Sequence, residues 1–106
     1  MKIVKVTYQV KPEFANQNQA NIQKVMKDLR ELHCQGIRYF ACLSGNQQTF
    51  MHTAFFATDE DHKILNELPA FRYFQEQLKA GGFETPPMQE LLTLVDSNFP
   101  IFGQSI

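Results

Sequence analysis

The chain has no tryptophan, only two cysteines among its 106 residues, and no excess of either charge. Cys34 and Cys42 are too few for a disulfide framework and form no Cys-x-x-Cys pair, so two reduced, buried thiols are expected. Ten basic and eleven acidic residues are spread along the chain without a basic patch, which argues against DNA, RNA or anionic lipid as partners. No apolar run approaches the roughly 18 residues of a membrane span. The N-terminal MKIVKVTYQVKP alternates polar and apolar residues, unlike the apolar centre of a signal peptide. A cytoplasmic chain with no membrane partner is the expectation.

The chemistry-bearing motifs are absent as well. His33 stands beside Cys34, and His62 beside Asp59 and Asp61, but no His-x-His or Cys-x-x-Cys spacing supplies the three or four convergent ligands a metal needs. No metal is expected. The glycine pair Gly81-Gly82 follows a helical segment instead of opening one, so it cannot cradle a phosphate. Ser44, Ser97 and Ser105 lie in turns or the tail, outside any nucleophile-elbow context.

What the chain does have is phenylalanine. Ten Phe, three Tyr and a hydrophobic share of 43% predict one globular domain, residues 1–106, with a phenylalanine-rich core. Lys2 to Val10 alternates strictly, with Val4, Val6, Tyr8 and Val10 on one face, and reads as a strand ended by Pro12. Ile22, Val25, Met26, Leu29 and Leu32 then recur at helical spacing, with Asn16 as a candidate N-cap and Gly36 as a candidate stop. Ile37 to Ser44 and Thr49 to Thr58 read as a hairpin around Gly45–Gln48. Both of its strands are apolar on both faces, so each side of the hairpin needs a cover.

Asp59, Glu60 and Asp61 suit the positive end of a helix dipole, and Pro69 predicts a break after Leu68. A short helix to Glu67 and a second from Pro69 to Ala80 follow, the latter with Phe71, Phe74 and Leu78 as its buried stripe. After Pro86-Pro87, Met88 to Val95 reads as the last strand, and the tail 97–106 carries Phe99, Ile101 and Phe102, an apolar density expected to dock on something.

The order βαββαβ, with a broken second helix, predicts the ferredoxin-like α+β fold with a four-stranded antiparallel sheet. Right-handed crossovers put the helices on one face and leave the other apolar face open. Burying ~600 Å² of it would be worth ~15 kcal/mol before association costs. A homodimer is therefore expected.

The segments VTYQVKP, FMHTAFFATDED, LPAFRYF and LLTLV together resemble the dimeric α/β-barrel superfamily, in its antibiotic-biosynthesis monooxygenase-like branch. The shared features are an aromatic ending the third strand, an acidic helix start, and a helix broken before Pro69-Ala70-Phe71. The resemblance implies two four-stranded sheets closing as a homodimeric barrel, with a small-molecule cavity between each sheet and its own helices. Members include cofactor-independent oxygenases of quinol-like aromatics, haem-degrading enzymes and proteins without known activity. Phe56 matches an aromatic position that is a Trp in haem-degrading members, and the position of their histidine ligand falls near Gln75, so no haem or other cofactor is implied.

By strand alternation Phe50, His52 and Ala54 share the face of Phe56. His52 is the candidate catalytic residue, as a general base or as a hydrogen-bonding group for a phenol. Tyr8, Tyr39, Phe56, Phe71 and Phe74 are the candidate ligand-binding residues for a small aromatic molecule. Each has a plainer reading as core. Arg72 reads as a surface ion pair, and Asn18, Asn21 and Asn66 border the apolar stripes as candidates to face a cavity, with surface positions the simpler assignment. Two functions stay open: an aromatic-binding domain acting as a cofactor-independent monooxygenase, or a non-enzymatic structural or ligand-sensing homodimer with a filled core. A module using its apolar tail to bind another chain is a third.

Overall fold

The computed structural model describes residues 1–103. Its elements run β1 (Lys2–Val10), α1 (Ala15–Leu32), β2 (Ile37–Leu43), β3 (Thr49–Phe56), α2 (Asp59–Glu67), α3 (Pro69–Gln77) and β4 (Phe83–Leu92). A 3-10 turn at Pro12–Phe14 precedes α1, and a π-type turn at Leu78–Gly82 follows α3. The strands form one antiparallel sheet in the order β2-β3-β1-β4. This is the expected ferredoxin-like α+β arrangement, with the second helix split at Pro69. Among the described residues, no helix is long and apolar enough to cross a membrane.

The ends of α1 differ from the expectation. The helix opens after Pro12 has set the first turn, with Phe14 and not Asn16 at its N-cap. It closes at His33, which takes the left-handed conformation at φ 53°, three residues before Gly36. Gly36 serves close approach instead. A Cβ there would overlap the Asp61 carboxylate, and the Gly36 carbonyl accepts from Ala57 N at 2.9 Å.

Asp61 is fixed in turn by its own helix start. Thr58 Oγ1 accepts from Asp61 N at 3.2 Å while Asp61 Oδ2 accepts from Thr58 N at 3.1 Å, a reciprocal capping box. Leu68 is extended, at φ −66° and ψ 122°, as the steric demand of Pro69 requires, and so α2 ends and α3 begins.

β4 starts at Phe83, well before the expected Met88, and ends at Leu92. Pro86-Pro87, read as a turn, lie inside it. An edge strand tolerates them because its outer N–H groups need no partner, and the register against β1 shifts between Thr7 and Gln9, opposite the prolines. Val95 lies beyond the strand and is 97% exposed. In the tail, the Phe102 ring lies 5.9 Å from the Arg38 guanidinium, whereas Phe99 stays exposed. Residues 104–106, including Ser105, fall outside the described residues.

The pairing registers sort the sheet into two faces. Toward the helices run the rows Tyr39-Ala54-Val4-Leu91, Ala41-His52-Val6-Gln89 and Leu43-Phe50-Tyr8. Away from them run Cys42-Met51-Thr7-Met88, Phe40-Thr53-Lys5-Glu90 and Arg38-Phe55-Ile3-Leu92. The core lies between the first face and α1, α2 and α3, and includes Val10, Val25, Phe50, Phe56, Leu65, Phe74 and Leu78. Cys34 is half-buried and Cys42 exposed on the second face, contrary to the expectation that both thiols are buried.

Candidate functional site

His52 sits in the middle of β3 with small neighbours opposite it on both sides, Ala41 and Val6. That leaves room for the imidazole, and the diagonal positions two residues along each strand are Tyr39 and Tyr8, within reach of a long side chain. Both reach it. Tyr8 Oη lies 2.7 Å from His52 Nε2, and Tyr39 Oη lies 2.6 Å from His52 Nδ1. Each ring nitrogen of the histidine thus has a phenol partner.

Aromatic rings close the cluster. Phe74 of α3 lies 5.3 Å from the imidazole, Phe71 lies 6.4 Å from Tyr39, and Phe50 stacks on Tyr8 at 5.6 Å. Phe83, which opens β4, meets Tyr8 edge-on at 5.7 Å. The surroundings are dry, and burial sets the proton affinities: His52 is pushed down to about 4, because its cation would lose water without gaining an anion. Tyr8 and Tyr39 are both pushed well above the ordinary phenol range, by burial first. The hydrogen bond from Asn18 opposes the rise at Tyr8, and the neighbouring Tyr8 adds to it at Tyr39. At neutral pH the three groups are all uncharged.

Asn18 is the member that the sequence offers only as the less simple of two readings, facing a cavity instead of the surface. It is fully buried, and its Nδ2 donates to Tyr8 Oη at 2.9 Å. Asn21, one turn on, is also buried, and its Oδ1 accepts from Gln17 Nε2 at 2.8 Å. The simpler assignment of both to the surface is therefore overturned. A signal was present: 18, 22, 25 and 29 make one continuous helical row, and Asn18 differs from Ile22, Val25 and Leu29 only in being polar.

The remaining candidates fall elsewhere. Phe56 belongs to the same face but lies two rows from His52, fully buried and stacked on His62 at 4.2 Å. His62 Nδ1 lies 3.1 Å from Lys2 Nζ. Its proton affinity is lowered by burial and by Lys2, with Asp59 acting in the opposite direction. Arg72 Nε donates to the Asn66 carbonyl at 3.2 Å, tying the start of α3 to α2 instead of pairing with Glu76. Among the described residues, no three His, Cys, Asp or Glu side chains converge on a point.

Access to the cluster runs through Tyr39. A groove of about 760 Å³ lies between α1 and the edge strand β2, with Ile22, Met26, Leu29, Ile37 and Ala41 as apolar lining. Tyr39 lines it; Tyr8, Asn18 and His52 do not. Arg30, His33 and Arg38 also line it, and among the described residues no carboxylate does.

A four-stranded antiparallel sheet with helices on one face and a buried polar cluster between them defines a ferredoxin-like α+β domain. More narrowly, the chain has the fold of the antibiotic-biosynthesis monooxygenase-like proteins. A structure named as antibiotic biosynthesis monooxygenase aligns with a TM-score of 0.75 at 13% identity, covering 91% of this chain and 100% of its own. Rv0793 from Mycobacterium tuberculosis gives 0.75 at 13%, covering 92% and 98%. A single-site variant of SnoaB, a cofactor-independent oxygenase from Streptomyces nogalater, gives 0.66 at 10%, covering 92% and 96%. No family model matches the chain. No curated relative matches it.

Proposed function

We propose that the protein is a homodimer that binds a small aromatic ligand in the α1–β2 groove, against the Tyr39 hydroxyl, and oxidises it without a cofactor. The observation that carries this reading is the double membership of Tyr39, which is bonded to His52 on one side and lines the groove on the other. The groove volume falls in the range of roughly 300 to 1,000 Å³ usual for small-molecule sites. Arg30 and Arg38, with no carboxylate among the described lining residues, favour an electron-rich or anionic ring. The oxygenase chemistry is taken from the likeness to SnoaB, and it balances without a further reactant: a phenol ring C–H becomes a C=O, one oxygen atom enters the product, and the other leaves as water.

The proton affinities limit what His52 does. Moving a proton from a phenol near 10 to an imidazole held at about 4 costs about 8 kcal/mol, so His52 does not store the substrate proton. It acts through Tyr39. By fixing that hydroxyl, it holds a hydrogen-bonding group against the substrate oxygen, whose proton leaves through the open groove. Tyr8, Phe71 and Phe74 hold the histidine and Tyr39 in place.

The dimer reading rests on the outward sheet face, where Phe40, Met88 and Leu92 are exposed beside half-buried Met51 and Phe55. A second reading, a structural or ligand-sensing homodimer with a filled core, is favoured by His52 itself, which is buried and has both ring nitrogens partnered. Oxygen uptake across a panel of quinols and phenols separates the two. The oxygenase reading expects at least one to be consumed, with a strong loss in Tyr39→Phe. If none is consumed, and His52→Ala and Tyr39→Phe alter no ligand binding, the filled-core reading stands in its place.

A further inference from the structure

Between Tyr8 Oη, the single N–H of neutral His52 and Tyr39 Oη there are three protons but only two hydrogen bonds to fill. One hydroxyl proton is left over. Which one depends on the direction of donation along the chain, and that direction is fixed at its far end by Asn18. With Asn18 Nδ2 donating to Tyr8 Oη at 2.9 Å, Tyr8 is free to donate to His52 Nε2. The imidazole proton then sits on Nδ1 and is donated to Tyr39. The leftover proton is that of Tyr39.

The opposite direction requires the Asn18 amide to be turned over, and the rest of α1 disfavours that. Asn21 Oδ1 already accepts from Gln17, which leaves Asn21 Nδ2 as a buried donor without a partner among the described residues. The buried atom of Asn18 without a partner among the described residues is its acceptor, Oδ1. The two orphans are thus of opposite kind, an acceptor on Asn18 and a donor on Asn21. Turning Asn18 over would exchange its buried acceptor without a partner for a buried donor without one, the costlier kind of orphan.

We infer that Asn18, Tyr8, His52 and Tyr39 form one array of fixed direction, in which Asn18 is the positioning residue that makes Tyr39 a hydrogen-bond donor toward the groove. The ligand class follows: the groove takes an aromatic molecule through an acceptor oxygen, a ketone, quinone or phenolate, and not through a neutral hydroxyl acting as donor to Tyr39. The ligand class rests on the proposed function, whereas the direction of the array does not.

Nitrogen-15 NMR of the imidazole in the free protein at neutral pH tests the direction, because protonated and unprotonated ring nitrogens differ widely in chemical shift. His52 is expected as the Nδ1–H tautomer, and finding it as the Nε2–H tautomer overturns the inference. Asn18→Leu, which keeps the shape and removes the donor, should give a mixture of tautomers; an unchanged Nδ1–H signal in a folded Asn18→Leu protein removes Asn18 from its role. Binding of 1,4-naphthoquinone, an acceptor-only ring, should weaken about five- to tenfold in Tyr39→Phe, as loss of one hydrogen bond implies. Equal affinity of the two proteins refutes the donor role of Tyr39. If naphthoquinone binds neither protein while the Nδ1–H tautomer is observed, the groove reading fails and the array stands.

Discussion

The Tyr39 hydroxyl lies 2.6 Å from Nδ1 of His52, on a strand at the edge of the sheet, whereas Tyr8 holds the other ring nitrogen from the central strand beside it. The two phenols are therefore unequal. Tyr8 Oη has two buried partners, His52 and Asn18, and Tyr39 Oη has one. Tyr8→Phe strands both of them and should cost about 2–4 kcal/mol of folding stability, against about 1–2 kcal/mol for Tyr39→Phe. Denaturant unfolding of the two variants checks the order. Equal losses would mean that Asn18 finds another acceptor.

The pH dependence follows from His52. Its folded-state affinity of about 4 lies below the ordinary 6.5, so the unfolded chain takes up a proton first as pH falls. Stability is then lost between about pH 6.5 and pH 4, by on the order of 3 kcal/mol, and is level in this respect above pH 7.5. His62, also lowered, acts in the same direction. Unfolding midpoints at pH 7.5 and 4.5 measure the loss, and an NMR titration assigns it. A His52 signal that titrates near 6.5 would contradict the buried, neutral role given to it here.

Gly36 and Asp61 make a third test. Gly36→Ala places a methyl where the Asp61 carboxylate lies and should cost about 1–3 kcal/mol by displacing it from the Thr58 capping box. The same substitution in an Asp61→Ala background should cost markedly less, because the obstacle and the cap are already gone. Additive losses in this cycle would assign the effect to the backbone of Gly36 alone.

The reasons some features were legible and others were not are physical. Period-two alternation in β1 and β3 places Tyr8 and His52 on one face, and Pro69 marks the split of the second helix, because both effects act within a few residues. The start of β4 was hidden by Pro86-Pro87, which signal a turn unless the strand is known to lie at an edge, and edge position is a property of the whole sheet. Asn18 was hidden for a similar reason. Its place in the apolar row was visible, but its partner Tyr8 lies on another element, and only the docking of α1 on the sheet turns a surface-type residue into a buried one. Phe56 shares the face of His52, but four residues of one strand set the two about 13 Å apart, and only the docking of α2 shows that His62 covers the Phe56 ring.

The outward face of the sheet supplies the last prediction. Phe40 projects from the centre of β2 and is 51% exposed, and the rows on either side of it carry Cys42, Met51 and Met88, then Phe55 and Leu92, with Ile3 between these two already buried. Its own row continues into Thr53, Lys5 and Glu90, so the apolar surface is two bands flanking a polar centre. Two copies meeting through this face would bury both bands and leave Lys5 and Glu90 of each copy able to pair across the centre, which favours a defined orientation over sliding. Sedimentation at micromolar concentration should therefore give twice the chain mass. Phe40→Asp should shift the protein to monomer, because each interface would then hold two unpartnered carboxylates on a drying surface. The Tyr8–His52–Tyr39 cluster lies on the opposite face, so the variant should keep the His52 tautomer unchanged. A wild-type monomer at that concentration would remove the homodimer from the proposal and leave the apolar bands to a different partner.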